Sequence, residues 1–134
     1  MSLQFKYSDL EKPSAPIIDI IVSNKFGKSD PRKGKIDTGS SLIAIPSELV
    51  EKLELKSTGK TKVGGYNTPP TPRDTFHVRI KVGSEEYGLL KATTNNKSYV
   101  LLGRNLINLW KLILDGENTQ GEIIPWSTNP NDAK

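Results

Sequence analysis

The chain has 134 residues, 34% of them hydrophobic and 25% charged, and this size fits one folding unit over residues 1–134. It contains no cysteine, which excludes disulfides, cysteine–zinc sites and thiol nucleophiles, and one histidine cannot supply a histidine-based metal site. The net charge of +4 permits acidic partners. Eleven glycines and nine prolines favour an all-β fold with many turns.

The N-terminal segment 1–12 has no apolar signal-peptide core, and no apolar run approaches the length that spans a bilayer. We therefore expect a soluble, cytoplasmic protein that does not bind membranes.

The N-terminal half is predicted to contain two strands, a turn and a short helix. Residues 1–16 are expected to form an irregular N-terminal arm, and the β-branched run 17–22 is expected to form the first strand. A polar connection is predicted over 24–34, before a second strand and turn within 35–45. Residues 46–55 begin with Pro and Ser and continue with apolar residues at helical spacing, which predicts a short helical segment.

The C-terminal half is predicted to contain further strands and one short helix. Residues 61–72 combine a short strand with Gly-Gly and three prolines, which indicates a projecting hairpin. Residues 75–82 alternate as a half-buried strand, and 87–92 is expected to pair with it. Residues 99–102 are predicted to form an apolar strand, and residues 104–110 a short helix. Two further strands are predicted over 111–114 and 121–126, followed by a flexible tail over 127–134.

Four basic residues cluster in the predicted connection. They are Lys28, Arg32, Lys33 and Lys35. Gly, Pro and Asp interrupt the cluster, and no aromatic residues are interleaved to stack on bases. We therefore favour a solvated loop, and we expect no nucleic-acid partner.

Two isolated titratable residues offer weaker alternatives for a reactive site. His77 could complete a Ser-His-Asp triad, but its alternating sequence favours a surface position on a strand. Asp19 lies between two isoleucines with no turn residues around it, so it is expected to face solvent from the first strand.

Asp37 is a stronger candidate for a reactive residue than His77 or Asp19. It lies between an apolar strand and an apolar run in the sequence G-K-I-D-T-G-S-S-L-I-A-I-P. Burying a carboxylate costs free energy unless its oxygens accept hydrogen bonds, and Thr38, Gly39 and Ser40 bring N–H groups and hydroxyls that can donate them. Such a carboxylate can orient a water molecule. Cleaving an amide also needs a proton donor, and the chain has no obvious second acid beside Asp37.

The D-T-G-S-S sequence at residues 37–41 resembles the active-site signature of aspartic proteases. The V-L-L-G-R-N-L-I sequence at residues 100–107 resembles the apolar-apolar-Gly-Arg-Asn pattern of the retroviral-type enzymes. The chain has one such signature, since the later Asp115-Gly116 lacks the hydroxyl residue. The resemblance covers roughly residues 17–126. It implies an all-β, retropepsin-like, barrel-like domain with one short helix near the C-terminus, in a symmetric homodimer.

The resemblance also implies site residues. Asp37 from each of two subunits would form a catalytic dyad, in which one carboxyl keeps a proton while the other activates water. The Ser40 hydroxyl would donate towards this carboxylate, which predicts an acid-shifted pH optimum. No metal or organic cofactor is implied. The other residues assigned in this way are the turn residues Thr38 and Gly39 and the structural residues Leu101, Leu102, Gly103 and Arg104.

The predicted hairpin lies where the family has its flap. Gly64 and Gly65 would let it bend, while Tyr66 and Asn67 would approach the substrate; a rigid turn without substrate contact is the alternative. Family substrates bind as added strands, with alternate side chains in pockets. Four apolar residues could line such pockets, and each of them could instead be a core residue. They are Leu42, Ile43, Ile45 and Leu102.

Two departures from the family patterns affect these expectations. Ser41 replaces the acid that pairs with the arginine in retroviral-type enzymes, so Arg104 needs another partner. Ala44 replaces a tryptophan that bonds the flap tyrosine in pepsin-like enzymes, so control of the flap must differ. Family dimers are often tied by interleaved terminal strands, and residues 3–7 and 123–126 are the apolar candidates here.

The sequence therefore predicts a homodimeric aspartic endopeptidase that acts on peptides or proteins. The main alternative is an inactive module with the same fold that binds peptides or dimerises, since a fold does not guarantee activity. A basic nucleic-acid-binding domain is a third interpretation.

Overall fold

Strands dominate the computed structural model, which describes residues 2–64 and 67–126. The all-β prediction is confirmed. Within the described residues, no helix is long and apolar enough to cross a membrane. In chain order the elements are β1 (Leu3–Lys6), β2 (Ile17–Ser23), β3 (Ser29–Ile36), β4 (Ile43–Pro46), α1 (Glu48–Lys52), β5 (Gly59–Val63), β6 (Thr71–Val82), β7 (Glu85–Asn95), β8 (Val100–Leu102), α2 (Arg104–Ile107), β9 (Trp110–Asp115) and β10 (Gln120–Pro125).

Six strands close into a barrel in the order β2-β3-β8-β4-β7-β6. Pairing of β6 with β2, where Ile21 lies opposite Lys81, completes the ring. The β3–β8 and β4–β7 pairs are parallel and the other pairs are antiparallel. Alternate apolar residues of these strands face inwards and pack with α2. The core includes Ile20, Val22, Ile36, Ile43, Ile45, Val78, Ile80, Val100, Leu102 and Leu106.

Strand β3 begins within the predicted polar connection, so that prediction is wrong. Antiparallel pairing with β2 starts at Ser23 opposite Ser29 and leaves a short turn between the strands. The polar residues are accommodated because they are paired or small: Asp30 is buried beside Arg32, and a Cβ on Gly34 would lie 3.0 Å from side-chain atoms of Ile20 and Leu102.

The basic cluster is therefore part of this strand and its preceding turn, and the expectation of a solvated loop is wrong as well. Each of its cations faces an acid from another part of the chain or from the same strand, which neutralises the cluster locally. The pairs are Lys28 with Glu54, Arg32 with Asp30 and Glu48, Lys33 with Asp19, and Lys35 with Glu11.

The two isolated titratable residues lie at the surface as expected. Asp19 is exposed on β2. His77 is exposed on β6, where its Nδ1 lies 2.9 Å from the Thr58 hydroxyl.

A separate three-stranded sheet, in the order β1-β10-β9, joins the two ends of the described chain. Leu3 lies opposite Ile123, and the Tyr7 N–H donates to the Thr119 carbonyl at 2.8 Å. The N-terminal arm thus contains a strand where an irregular segment was predicted. The two terminal segments that were candidates for exchange between subunits pair with each other inside one chain.

The predicted hairpin is present: β5 pairs with the first part of β6, from Gly59 opposite Thr75 to Val63 opposite Thr71. The expected pairing of the next two strands is confirmed by β6 and β7, which are both longer than predicted. The two predicted helical segments appear as α1 and α2, and α2 is shorter than predicted. Gly65, Tyr66 and the predicted 127–134 tail lie outside the described residues.

Candidate active site

Asp37 follows the last residue of β3 and begins a turn at the end of the barrel. Its N–H donates to the Leu102 carbonyl at 3.0 Å, which extends the β3–β8 pairing by one residue. Its carboxylate oxygen Oδ1 accepts the N–H of Gly39 at 3.0 Å. Ile36 is buried in the core, so strand alternation directs the half-buried Asp37 side chain to the opposite face. The carboxylate is thus fixed by the backbone while one side stays open.

Gly39 has a steric reason for its place in this turn. A Cβ at this position would lie 3.3 Å from the Asp37 oxygen Oδ1, which is tighter than an ordinary contact. The missing side chain therefore lets the Gly39 N–H approach the carboxylate. Thr38 is exposed and contributes its backbone carbonyl to the site.

Arg104, the first residue of α2, holds the turn from the other side. Its guanidinium Nη1 donates to the Thr38 carbonyl at 2.8 Å, and its backbone N–H donates to the Ser40 carbonyl at 2.8 Å. The Thr38 carbonyl is thus the other partner that Arg104 was predicted to need, since Ser41 stands at the position of the acid. Two carbonyls of the turn are thereby fixed to one residue of the helix.

Gly103 permits the close crossing of two backbone segments below the turn. A Cβ at Gly103 would lie 2.3 Å from the Leu42 carbonyl oxygen and 2.4 Å from its carbonyl carbon, so only glycine fits. The predicted supporting role of the Leu102–Gly103–Arg104 segment therefore has a geometric basis: β8 pairs with β3, the glycine lets residue 42 cross, and the arginine binds the turn.

Asn105 is a supporting residue that sequence analysis did not single out. Its Oδ1 accepts the Ile43 N–H at 3.0 Å, and its Nδ2 donates to the Lys91 carbonyl at 2.7 Å. It thereby ties the start of β4 to β7 beside the turn. The signal for it was the asparagine of the G-R-N sequence, to which no contact could be assigned without the fold.

The Ser40 hydroxyl does not donate to the carboxylate, so the predicted contact is wrong. It donates instead to the Leu42 carbonyl at 2.6 Å, while the Ser40 N–H donates to the carbonyl of Asp37 at 3.2 Å. Leu42 is two residues after Ser40, so this contact is formed within the turn itself. Ser40 therefore closes the turn and leaves the carboxylate to the Gly39 N–H.

The remaining predicted residues separate into core and hairpin positions. Ile43, Ile45 and Leu102 are fully buried, so they are core residues and do not line a pocket. Leu42 is half-buried. In the hairpin, Gly64 and Asn67 are both exposed, and Asn67 has a left-handed φ of +61°.

A second unpredicted residue, Glu11, places the N-terminal arm next to the strand that leads to Asp37. Its carboxylate accepts two hydrogen bonds from the Lys35 ammonium, at 2.7 and 2.9 Å, and one from the Tyr99 hydroxyl at 3.3 Å. The hydrogen bond from Lys35 lowers the pKa of Glu11, and the same bond raises the pKa of Lys35. The arm is thus fastened two residues before the candidate catalytic acid.

Within residues 2–64 and 67–126, no three His, Asp or Glu side chains lie close enough together to hold a metal ion.

Comparisons with known proteins identify relatives of this fold. The chain is similar to a retropepsin-like aspartic protease from Rickettsia conorii, with a TM-score of 0.64, 19% identity, and coverage of 92% of this chain and 90% of that one. It is similar to the EIAV protease complexed with the inhibitor HBY-793, with a TM-score of 0.57, 16% identity, and coverage of 70% and 86%. Both similarities show the retropepsin-like fold.

The foamy viral protease-reverse transcriptase in complex with an RNA/DNA hybrid is also similar, with a TM-score of 0.54 and 20% identity. The match covers 72% of this chain but 12% of that larger chain. A comparison with curated protein sequences gave no match. The family model described as aspartyl protease matches residues 22–106, which include the Asp37 turn and the Gly103–Arg104 segment. The chain therefore belongs to the aspartyl protease family and has a retropepsin-like fold.

Proposed function

We propose that the protein is an aspartic endopeptidase that acts as a homodimer, with Asp37 of each subunit in one shared site. The observation that carries this proposal is the Asp37 carboxylate, which is held by the Gly39 N–H at 3.0 Å and faces away from the core. The turn fixes one carboxylate, and the sequence has one D-T-G signature, so the second carboxylate comes from a second copy of the chain.

The reaction follows from two carboxyl groups that share a site. Like charges at short distance prevent both groups from ionising, so one remains protonated. The ionised carboxylate takes a proton from a water molecule as the water oxygen bonds to the peptide carbonyl carbon. The protonated carboxyl gives its proton to the carbonyl oxygen, which forms a tetrahedral diol. The carboxyl that took up the water proton then gives it to the amide nitrogen as the C–N bond breaks, while the other carboxylate takes a proton from one hydroxyl of the diol. The products are a free carboxylate and a free amine.

The surface that we assign to subunit contact is the edge of β9, which no other strand of the described residues covers. This strand lies at one side of the terminal sheet, and its side chains Ile113 and Leu114 are 41% and 42% exposed. An apolar strand edge of this kind is suited to pairing with another strand. Helix α2, whose Arg104 binds the Asp37 turn, directly precedes β9. Pairing at this edge is therefore compatible with a two-fold axis close to Asp37.

The substrate in this proposal is an extended peptide that lies between the Asp37 turn and the β5–β6 hairpin, which serves as the flap. Strand addition would supply most of the binding, and closure of the hairpin would exclude water from the reaction. The exposed hairpin, with Gly64 and Asn67 near its end, supports this assignment. A cytoplasmic location stays a prediction from the sequence.

The first test is cleavage of a denatured protein between about pH 2 and pH 8, the range around carboxyl titration. Asp37→Asn should abolish cleavage, because the amide cannot take up the water proton. Asp19→Asn is the matched control, since Asp19 is an exposed carboxylate on the neighbouring strand. If the wild-type protein is dimeric and cleaves nothing at any pH, the proposal is wrong and the inactive peptide-binding module is favoured.

A second test asks whether the two carboxylates come from different subunits. When equal amounts of wild-type and Asp37→Asn subunits exchange at random, about a quarter of the dimers have two intact carboxylates. Activity should then fall to about half that of the same amount of unmixed wild-type protein. Unchanged activity after verified subunit exchange would show that one chain holds the complete site.

A further inference from the structure

The β5–β6 hairpin carries half of the net positive charge of the chain. Residues 59–75, which form the hairpin, include three basic residues and one acid, a net charge of +2 out of +4 for the whole sequence. The basic cluster on β3, by contrast, is neutralised by its acidic partners. The proposed flap therefore carries a net positive charge.

The strand register divides the side chains of this hairpin between two faces. Lys60 lies opposite Asp74 and Lys62 opposite Pro72, and all four are exposed on one face. The other face is formed by Thr61 opposite Arg73 and Val63 opposite Thr71.

The face with Arg73 is the one turned towards the body of the protein. Thr61 and Val63 on this face are half-buried, whereas Lys60 and Lys62 are exposed. The same face continues at the base of the hairpin into Thr75, whose side chain is 1% exposed.

Arg73 is the cation of this inner face. On the outer face, Lys60 binds Asp74 at 3.0 Å, and this hydrogen bond lowers the pKa of Asp74. Among residues 2–64 and 67–126, no carboxylate pairs with Arg73, which is exposed. An arginine presents a planar set of donors that can bind both oxygens of a carboxylate.

We propose that Arg73 selects peptide substrates with an acidic side chain, which its guanidinium binds when the hairpin lies over the peptide. The inference rests on the proposed function, because it takes the space under the hairpin as the binding site. It adds a substrate class, acidic extended peptides, and assigns a specificity role to one residue. Closure over the peptide would exclude water and strengthen this ion pair relative to one on an open surface.

The experiment compares peptide pairs that differ by Glu or Gln at one position, scanned along the peptide. Binding is measured on the Asp37→Asn dimer by fluorescence anisotropy, and cleavage is measured on the wild-type dimer. At one position the Glu peptide should bind about five- to tenfold more tightly than its Gln counterpart. Arg73→Gln should remove this preference, and Arg73→Glu should reverse it in favour of Lys peptides. Lys62→Gln, which removes the same charge from the outer face, should keep it.

The outcomes separate this inference from the proposed function. Cleavage without any Glu preference, or a preference lost equally in Arg73→Gln and Lys62→Gln, overturns the role of Arg73 and leaves the protease intact. Acid-selective binding that depends on Arg73 but is accompanied by no cleavage supports the inference and overturns the enzymatic proposal. Circular dichroism of both variants checks that loss of preference does not arise from unfolding.

Discussion

The guanidinium of Arg104 donates to the Thr38 carbonyl at 2.8 Å, so the start of helix α2 holds the turn that presents Asp37. The backbone N–H of Arg104 adds a second contact, to the Ser40 carbonyl at 2.8 Å. The position of the candidate catalytic carboxylate thus depends on a segment far along the chain. This dependence can be tested by removing the side-chain contact while the backbone contact remains.

Replacing Arg104 with Gln should lower kcat/KM by about tenfold or more, since small displacements of a catalytic group are costly. The lost hydrogen bond should also reduce the free energy of unfolding by about 1 kcal/mol. Activity assays and urea unfolding measure the two effects. Arg79→Gln is the matched control, because Arg79 also donates to a carbonyl, that of Lys25 at 3.4 Å, away from the turn. Equal losses of activity in both variants would contradict the role of Arg104.

Gly103→Ala should destabilise the protein by at least about 2 kcal/mol, because the added methyl group overlaps backbone atoms that cannot rotate away. The new Cβ would lie 2.3 Å from the Leu42 carbonyl oxygen. Gly116→Ala serves as the control, since a Cβ there meets nothing within 4 Å. Urea unfolding at neutral pH gives both values. A Gly103→Ala protein as stable as Gly116→Ala would show that the crossing can relax.

Asn105→Ala should destabilise the protein by about 1–3 kcal/mol, because two backbone groups lose their hydrogen-bond partner. These are the Ile43 N–H and the Lys91 carbonyl, which lie at the start of β4 and on β7. Asn118→Ala, in the exposed turn between β9 and β10, removes a side-chain hydrogen bond to Asp115 and should have a much smaller effect. Thermal unfolding of both variants provides the comparison, and similar melting temperatures would count against the bridging role of Asn105.

Much of the site could be predicted from local sequence. The D-T-G turn and the glycine at residue 103 are short-range signals, and the structure gives Gly39 and Gly103 clear steric reasons. The hairpin was also evident, because Gly-Gly and the prolines mark a turn between two strands.

What could not be predicted depends on partners distant in sequence. The start of β3 looked like a polar loop because the acids that neutralise it, such as Glu11 and Glu48, lie in other elements. The pairing of β1 with β10 joins opposite ends of the described chain. One error is local: the Ser40 hydroxyl was assigned to the Asp37 carboxylate, but the conformation of the turn directs it to the Leu42 carbonyl, two residues away.

Ser40→Ala should therefore leave the pH dependence of activity nearly unchanged. The hydroxyl donates to the Leu42 carbonyl at 2.6 Å, so its loss should reduce stability by about 1 kcal/mol without removing a donor from the Asp37 carboxylate. The acid-shifted optimum predicted for the wild-type protein then rests on the shared proton of the proposed dyad. A pH–rate profile of both proteins is the measurement, and a clear rise of the optimum in Ser40→Ala would restore the direct contact.

The stability of the protein should decrease below about pH 4, within the range where an acid protease works. Burial opposes ionisation of Asp30, but hydrogen bonds from Lys52 and Arg32 outweigh it and lower the pKa of this carboxyl group. A pKa that is lower in the folded state stabilises the fold above the unfolded-state pKa, and this contribution is lost as the pH falls through the folded-state value. The pKa of Glu11 is also lowered, by its hydrogen bond with Lys35.

Asp30→Asn should accordingly be less stable than the wild type at pH 7, and the difference should shrink as the pH falls below about 4. Urea unfolding at several pH values measures this convergence. Asp9→Asn is the control, since Asp9 pairs with Lys12 at 3.9 Å through side chains that are about four-fifths exposed, and such pairs contribute little. A stability difference for Asp30→Asn that stays constant from pH 7 to about pH 2 would mean that the ionised carboxylate is not what stabilises β3.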